Sequence, residues 1–213
     1  MKKDSFLSKI TSIYTMLGFS LIVIAIGLVV TPIAPYIIYR LSPSETTNEV
    51  NKISETINNS NVDAQNNTQI DYQPELDLSL PDTPYIVIPS IGVYSPISTI
   101  SDYTEALKHG AWMVPDFGTP INGISPIIVA AHRFGYISWG TTIRNKISFY
   151  NLPKTKVGDT IQIIWGRREY SYKIYNATEG TAITDYSADL ILYTCKYFNS
   201  PQRIFRYASL ITP

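Results

Sequence analysis

From residue 85 onward the chain is a succession of short apolar runs separated by turn residues, and this alternation restricts the possible folds. Runs rich in Ile, Val, Tyr and Thr that are bounded by Gly, Pro, Asn or Asp are typical of short strands. A short helix is predicted over residues 102–109, and residues 134–152 are predicted to be partly helical. The predicted strands cover residues 85–88, 91–94, 126–131, 160–165, 169–175, 191–194 and 204–211. Seven or eight short strands with few helices predict an all-β fold, a small closed β-barrel of seven to eight strands with one or two short helices.

The N-terminal part of the chain is strongly apolar. No charged residue occurs between Ile10 and Tyr39, and a bilayer core requires about 20 mostly apolar residues in a helix. A cleaved signal peptide is the alternative, but the apolar run is longer than a usual signal and no clear A-x-A cleavage site follows. We therefore expect a transmembrane signal anchor over residues 12–39. Lysines within residues 1–11 favour a cytoplasmic N-terminus, which leaves the rest of the chain outside the cell.

Composition changes sharply after the apolar segment. Residues 40–83 are dominated by Ser, Asn, Thr, Glu and Gln, which predicts an extracellular linker that holds a folded domain over residues 84–213 away from the membrane. The formal net charge is zero, from 17 basic and 17 acidic residues, and this balance argues against a nucleic-acid binder. One cysteine and two histidines exclude an internal disulfide framework and argue against a metal site built from several cysteines or histidines.

Three residues able to carry chemistry stand at the ends of predicted strands. Cys195 ends the apolar run that begins at residue 191, His132 follows the run over residues 127–131, and Arg203 begins the last strand. Taken singly, each has an ordinary interpretation, since a lone cysteine after an apolar strand is more often buried and inert. Taken together, the three residue types match a nucleophile, a general acid–base and a fixed cationic donor.

Five short motifs in order make residues 85–212 resemble the sortases, membrane-anchored cysteine transpeptidases of mainly Gram-positive bacteria. The motif over residues 88–93 resembles the signature I-P-x-I-x-V. The motif over residues 192–195 resembles T-L-x-T-C, except that Ile191 replaces its first Thr. His132 and Cys195 lie 63 positions apart (195 − 132). The matching pieces cover residues 88–93, 128–133, 157–161, 192–195 and 203–205.

The resemblance assigns a role to each candidate residue. It implies that Cys195 is the nucleophile, that His132 is first general acid and then general base, and that Arg203 is a donor to the substrate or oxyanion. Thr194 and Ala131 are predicted to take part in substrate binding, and no cofactor is implied. The acidic residues lack the spacing of a calcium-binding loop, so no metal site is predicted. Arg206 is the alternative arginine, but strand residues three apart point to opposite faces, so only one of the two arginines can face the cysteine.

The activity that the resemblance implies is cleavage of a C-terminal LPxTG-like sorting signal at the Thr–Gly bond through a cysteine thioester. The expected partners are proteins carrying such signals and an amine acceptor in a peptidoglycan precursor or a pilin, with the enzyme on the outer face of the cell membrane. The alternatives are a non-catalytic membrane-tethered adaptor that binds sorting signals and another cell-wall cysteine peptidase. Residues 80–84, Leu-Pro-Asp-Thr-Pro, resemble a sorting signal themselves, so either a plain linker or a pseudo-substrate is possible.

Overall fold

The computed structural model describes residues 12–28, 72–136, 138–198 and 200–213. The chain divides into two compact units, residues 1–42 and 43–213. In the first unit, residues 12–28 form a helix; within the described ranges, no helix combines the length and apolar character needed to cross a membrane. The rest of the predicted anchor, the predicted cytoplasmic segment and most of the predicted linker lie outside the described residues.

The second unit is built from eight described strands and two short helices. The helices are α1, Tyr103–Ala106, which Asp102 caps through hydrogen bonds from the amides of Thr104 and Glu105, and α2, Thr141–Ile147. Short 3₁₀ turns cover Pro89–Ile91 and Leu152–Lys154. The strands are β1 Tyr85–Ile88, β2 Val93–Ser98, β3 Ala111–Met113, β4 Ile127–Ala130, β5 Thr160–Trp165, β6 Arg168–Gly180, β7 Leu190–Cys195 and β8 Arg203–Leu210.

These strands form a closed barrel in the order β1-β2-β3-β4-β7-β8-β6-β5. Two pairs, β2 with β3 and β4 with β7, are parallel, and the others are antiparallel. Closure leaves no sheet edge exposed, which is how small β-proteins avoid unpaired backbone groups. The predicted small closed barrel is confirmed, as a mixed barrel of eight strands.

The barrel interior is an apolar cluster to which every strand contributes, including Ile86, Val129, Leu192 and Ile204. A second cluster covers the outer face of β4, β7 and β8, where Ala130, Tyr193 and Phe205 are among its members. Successive residues of a strand point to opposite faces, so β4, β7 and β8 are buried on both sides. All six residues of β7 are buried, which explains why this strand is apolar without alternation.

Three differences from the predicted strands are larger than one residue at an end. Pro89–Ile91 forms a 3₁₀ turn, so β2 begins later than predicted, at Val93. β6 extends to Gly180 because it pairs along its whole length with β8. The short strand β3 was not predicted, since Ala-Trp-Met carries little strand signal by itself; its position is set by pairing with β2 and β4.

Candidate active site

Cys195 and Arg203 are direct neighbours across two antiparallel strands. The register of β7 and β8 pairs Cys195 with Arg203. The amide of Lys196 donates to the carbonyl of Gln202 at 2.8 Å, so the next pair inward is the narrow, non-hydrogen-bonded kind, with Cα atoms about 4.5 Å apart. Their side chains therefore leave the sheet side by side on the same face.

His132 comes to the same place through the parallel pairing of β4 with β7. Ala130 is paired with Tyr193, and the amide of Ala131 donates to the carbonyl of Tyr193 at 3.4 Å. Continuing this register by two more residues on each strand brings His132 level with Cys195. Ala130 lies in the outer cluster and Ala131 in the barrel interior, so alternation turns His132 to the outer face, where Cys195 also lies.

The three predicted catalytic side chains therefore share one end of the outer face of β4, β7 and β8. Each of them is 0% exposed. The apolar floor beside them includes Tyr193 and Phe205, and residues of the β6–β7 connection, Ile183 and Ala188, cover it. The arrangement is a buried thiol, imidazole and guanidinium beside a buried apolar cluster.

The guanidinium of Arg203 uses only part of its set of N–H donors in hydrogen bonds within the described residues. Its Nη1 donates to the carbonyls of Ser200 at 2.6 Å and Gln202 at 3.3 Å. Its Nε is buried and has no hydrogen-bond partner among the residues that the structure describes. An unpaired buried donor costs free energy, so this N–H is suited to an oxygen atom supplied by a substrate.

Arg206 lies on the other face of the same strand. Its Nε donates to Thr155 Oγ1 at 2.6 Å and one Nη donates to the carbonyl of Leu152 at 3.0 Å. It is paired with Leu192, not with Cys195. Burial lowers the pKa of its guanidinium below the ordinary value, and the Coulombic interaction with Glu179 opposes this shift without reversing it. Of the two arginines, only Arg203 stands beside the cysteine.

Thr194 and Ala131 bind each other. The Thr194 hydroxyl donates to the carbonyl of Ala131 at 2.8 Å, and both residues are fully buried. The Ala131 side chain belongs to the interior cluster. The bond fastens β7 to β4 one residue before Cys195 and His132. The Thr194 hydroxyl is thus used within the protein, and a role of these two residues in substrate binding stays a prediction.

Comparison with known proteins places the chain in a family. A family model described as "Sortase domain" matches residues 86–211. The chain belongs to the sortase family. A search of curated protein sequences gave no match.

Solved structures similar to this sortase include three from streptococci and corynebacteria. Sortase C1 of Streptococcus agalactiae, solved as a complex with MTSET, is 21% identical, with 62% of this chain and 69% of that chain covered and a TM-score of 0.48. Sortase A of Corynebacterium diphtheriae is 21% identical, with 62% of each chain covered and a TM-score of 0.48. Sortase C2 of Group B Streptococcus pilus island 1 is 21% identical, with 78% and 99% covered and a TM-score of 0.49.

Arg133 is a second cation near the thiol of this sortase. Its guanidinium lies 5.2 Å from the centroid of the Phe134 ring. Burial lowers the pKa of Arg133 below its ordinary value. Coulombic interactions, the largest with Tyr150 and the next with Cys195, oppose this shift without reversing it. The sequence analysis assigned this arginine no role in the site. Its position next to His132 was the available signal.

Two aromatic rings that sequence reasoning did not assign to the site pack against His132. The ring of Tyr136 is edge-on to the imidazole with centroids 5.3 Å apart, and the ring of Trp139 is edge-on with centroids 6.4 Å apart. Both lie in the connection between β4 and α2, a stretch predicted only to be partly helical. Their signal in the sequence was their closeness to His132, four and seven positions after it.

A salt bridge stands directly behind the cysteine. The ammonium of Lys196 binds Glu179 Oε2 and lies 5.1 Å from the centroid of the Tyr197 ring. The hydrogen bond that Lys196 donates to Glu179 is the main cause of a raised pKa for Lys196. Glu179 is paired with Ile204 in β8, so this bridge ties the end of β7 to β6. Within the described ranges, no three His, Cys, Asp or Glu side chains converge as metal ligands would.

The sorting-signal-like residues 80–84 lie elsewhere on the barrel. Asp82 Oδ1 is 3.6 Å from Arg167 Nε, in the turn between β5 and β6. β6 runs from this turn to Gly180, which is paired with Arg203; at about 3.3 Å per residue, that is about 40 Å along the strand. The structure therefore places this segment beside the β5–β6 turn and gives it no contact with the cysteine.

Proposed function

We propose that this sortase is a cysteine transpeptidase in which Cys195, His132 and Arg203 carry the reaction. The observation that supports it most is that pairing of three strands gathers one thiol, one imidazole and one guanidinium on the same face. Membership of the sortase family supports the same reaction class. The proposed substrate is a protein with a C-terminal LPxTG-like sorting signal, cleaved at its Thr–Gly bond.

The proposed reaction has two balanced steps. The thiolate of Cys195 attacks the threonine carbonyl carbon, a C–S bond forms, and the Thr–Gly C–N bond breaks while His132 gives its proton to the departing glycine nitrogen. An amine then attacks the thioester and loses a proton to His132, an amide forms, and the thiolate leaves. The unpaired Nε–H of Arg203 is available to the oxygen that becomes negative in each step.

The outer face of β4, β7 and β8 offers a site for the sorting signal once its cover moves. Tyr193, Phe205 and Ile191 form part of its floor, and apolar surface of this kind suits the leucine and proline of an LPxTG-like peptide. Ile183 and Ala188 of the β6–β7 connection pack against this face. Because all three catalytic side chains are buried, binding of a peptide requires this cover to move.

The remaining assignments rest on the sequence. We propose a cytoplasmic segment over residues 1–11, an anchor over residues 12–39, a linker over residues 40–83 and a catalytic domain over residues 84–213. A tether of about 40 residues has a coil span of roughly 30–40 Å. The enzyme would then work on the outer face of the membrane, on substrates in the membrane or the wall, with an amine of a peptidoglycan precursor or a pilin as the acceptor.

The test is the intact mass of the full chain, in a mild detergent, after incubation with L-P-x-T-G and L-A-x-T-G peptides with and without a primary amine. We expect an acyl adduct that hydroxylamine removes and that the amine clears as a new amide product. The chain has one cysteine, so a thioester can form only at Cys195. Cys195→Ala should give no adduct, and His132→Gln and Arg203→Met should each reduce its rate of formation.

The competing function is a non-catalytic adaptor that binds sorting signals. It predicts that wild type and Cys195→Ala bind the peptides equally and that neither forms a thioester. A thiol that iodoacetamide modifies readily while no peptide reacts would instead mean that the nucleophile is active and that the sorting signal is a different one.

A further inference from the structure

The connection between β4 and α2 holds three rings in mutual edge-on contact. Tyr136 and Trp139 each meet His132, and they meet each other with centroids 5.3 Å apart at 67°. The amide of Trp139 donates to the carbonyl of Tyr136 at 2.9 Å, which closes a turn and brings the two rings to the same side. Edge-to-face geometry at these distances is the favoured arrangement of aromatic groups.

Gly135 makes room for this cluster. Its φ is +75°, a left-handed conformation that disfavours other residues, and a Cβ built on it would lie 2.1 Å from Trp139 Cε3. The indole therefore rests directly on the backbone of Gly135. Trp139 is 9% exposed, so most of its ring is held between this backbone, Tyr136 and the imidazole.

We propose that Tyr136 and Trp139 are positioning residues for His132, which fix the imidazole plane beside Cys195 and keep bulk water from it. The inference rests on the proposed transpeptidase function of the same site. A general acid–base must keep one orientation through both proton transfers, and loss of alignment by about 1 Å can reduce a rate by roughly 100-fold. His132 follows the last residues of β4, and the two rings limit the rotation of its side chain.

The same rings could instead act only as a cover that keeps substrate out. The two roles predict opposite effects when Trp139 is removed. A positioning role predicts slower turnover for Trp139→Ala with KM nearly unchanged, and recovery in Trp139→Phe, which keeps an aromatic edge. A cover predicts faster modification of Cys195 and turnover that is unchanged or faster.

The first measurement needs no substrate. The full chain, labelled with ¹³C at histidine Cε1, is prepared in a His109→Gln background, which leaves His132 as its single histidine. Ring currents from Tyr136 and Trp139 should displace the His132 signal. We expect Trp139→Phe to keep most of that displacement, and Trp139→Ala and Gly135→Ala to lose it. Trp165→Phe, at the far end of β5, is the matched control and should leave the signal in place.

The second measurement is iodoacetamide modification of Cys195 between about pH 5 and pH 9, which follows the thiolate. The charged and titratable groups around this thiol include His132, Arg203, Arg133, Tyr193 and the Lys196–Glu179 pair, and the Trp139 variants change none of them. We expect the pH profile of Trp139→Ala to move toward that of His132→Gln, and the profile of Trp139→Phe to stay near wild type. A Trp139→Ala profile that matches wild type would overturn the positioning role.

Turnover of an LPxTG-like peptide with an amine completes the test. Trp139→Ala should lower kcat by roughly 10- to 100-fold with KM within about twofold, whereas Trp139→Phe should retain most of the wild-type kcat. Wild-type kcat in Trp139→Ala would overturn the proposal. If wild type itself turns over no peptide, the transpeptidase function fails, and the histidine signal and the alkylation profiles still decide whether the rings position His132.

Discussion

Substitutions at two arginines three residues apart in β8 should have opposite effects, one mainly on stability and the other mainly on activity. Arg203 is paired with Cys195 on the outer face, whereas Arg206 lies inside and binds the turn over Leu152–Lys154. We expect Arg206→Met to destabilise the barrel and to leave part of the activity, and Arg203→Met to remove activity and to leave the barrel folded. Methionine keeps most of the apolar stem in both variants, so the comparison isolates the guanidinium.

The magnitude for Arg206 follows from the two shortest of its hydrogen bonds to residues outside β8. They are Nε to Thr155 Oγ1 at 2.6 Å and Nη2 to the carbonyl of Leu152 at 3.0 Å. A hydrogen bond to a charged group contributes about 1.5–3 kcal/mol. The Leu152 carbonyl keeps the Thr155 hydroxyl as a donor at 2.7 Å, which favours the lower half of the summed range. Arg206→Met should therefore reduce the free energy of unfolding by about 3–4 kcal/mol.

The contacts of Arg203 differ from those of Arg206. Its Nη1 binds two carbonyls in the turn between β7 and β8, those of Ser200 and Gln202. These carbonyls lie next to solvent-accessible residues, so water can replace the guanidinium, and we expect a loss of about 1–2 kcal/mol in the free energy of unfolding. Removal of a donor to a developing oxyanion raises the barrier by about 2.7–4 kcal/mol. The rate of acyl-adduct formation should therefore fall by roughly 100- to 1,000-fold.

The assay is urea unfolding of the full chain, followed by tryptophan fluorescence, together with intact-mass kinetics of acyl-adduct formation with an L-P-x-T-G peptide. Trp112 and Trp165 lie in β3 and β5 and report on the barrel. The Arg206 variant should unfold at lower urea with an unchanged slope. Equal stability of the two variants, or an Arg206 variant that is folded and inactive, would refute the division of roles between the two faces of β8.

Three further perturbations test the surroundings of the site. Thr194→Val removes the hydroxyl that binds the Ala131 carbonyl; we expect a loss of about 1 kcal/mol in urea unfolding and a larger loss in acyl-adduct formation than in peptide binding. Hydrogen bonds from Ser187 and Tyr175 outweigh the opposing effect of burial and hold the pKa of Asp185 below its ordinary value. This contribution to stability is present above about pH 4 and is lost as the pH falls through the lowered pKa. Asp185→Asn should therefore reduce the dependence of the unfolding free energy on pH in the acid range. It should also raise the rate of Cys195 alkylation, because it loosens the β6–β7 connection. Replacement of Pro84 by glycine restores an L-P-D-T-G sequence far from the cysteine; the mass of the full chain should not change by self-cleavage and the alkylation rate should equal that of wild type.

The fold class and the strand-end residues could be predicted because each depends on local sequence. Strands β1 and β5 were predicted with the bounds that the structure gives, since turn residues limit both of them. Whether His132 and Cys195 meet depends on a parallel pairing between β4 and β7, and nothing within either strand specifies its partner. The family resemblance supplied that link, because it carries a constellation that local patterns cannot contain.

The choice between Arg203 and Arg206 shows how far geometry alone could go. Alternation along an extended strand required that the two point to opposite faces, and the structure gives one to Cys195 and the other to Thr155. Alternation could not say which face was which. The face that each arginine occupies could not be predicted because β8 is buried on both sides. The burial of its outer face comes from the residues that cover it and is not a property of the strand.

The segment after His132 was predicted least well, and the reason is physical. Tyr136 and Trp139 follow a strand end, where aromatic residues usually belong to the general core. Gly135 at positive φ and the hydrogen bond between the backbone of Trp139 and Tyr136 turn the chain so that both rings return to the imidazole. A single glycine thus decides whether these rings fill the core or hold His132. Gly135→Ala therefore probes this segment while leaving both rings in the chain, since it fills the space in which the indole rests and strains the left-handed backbone at residue 135.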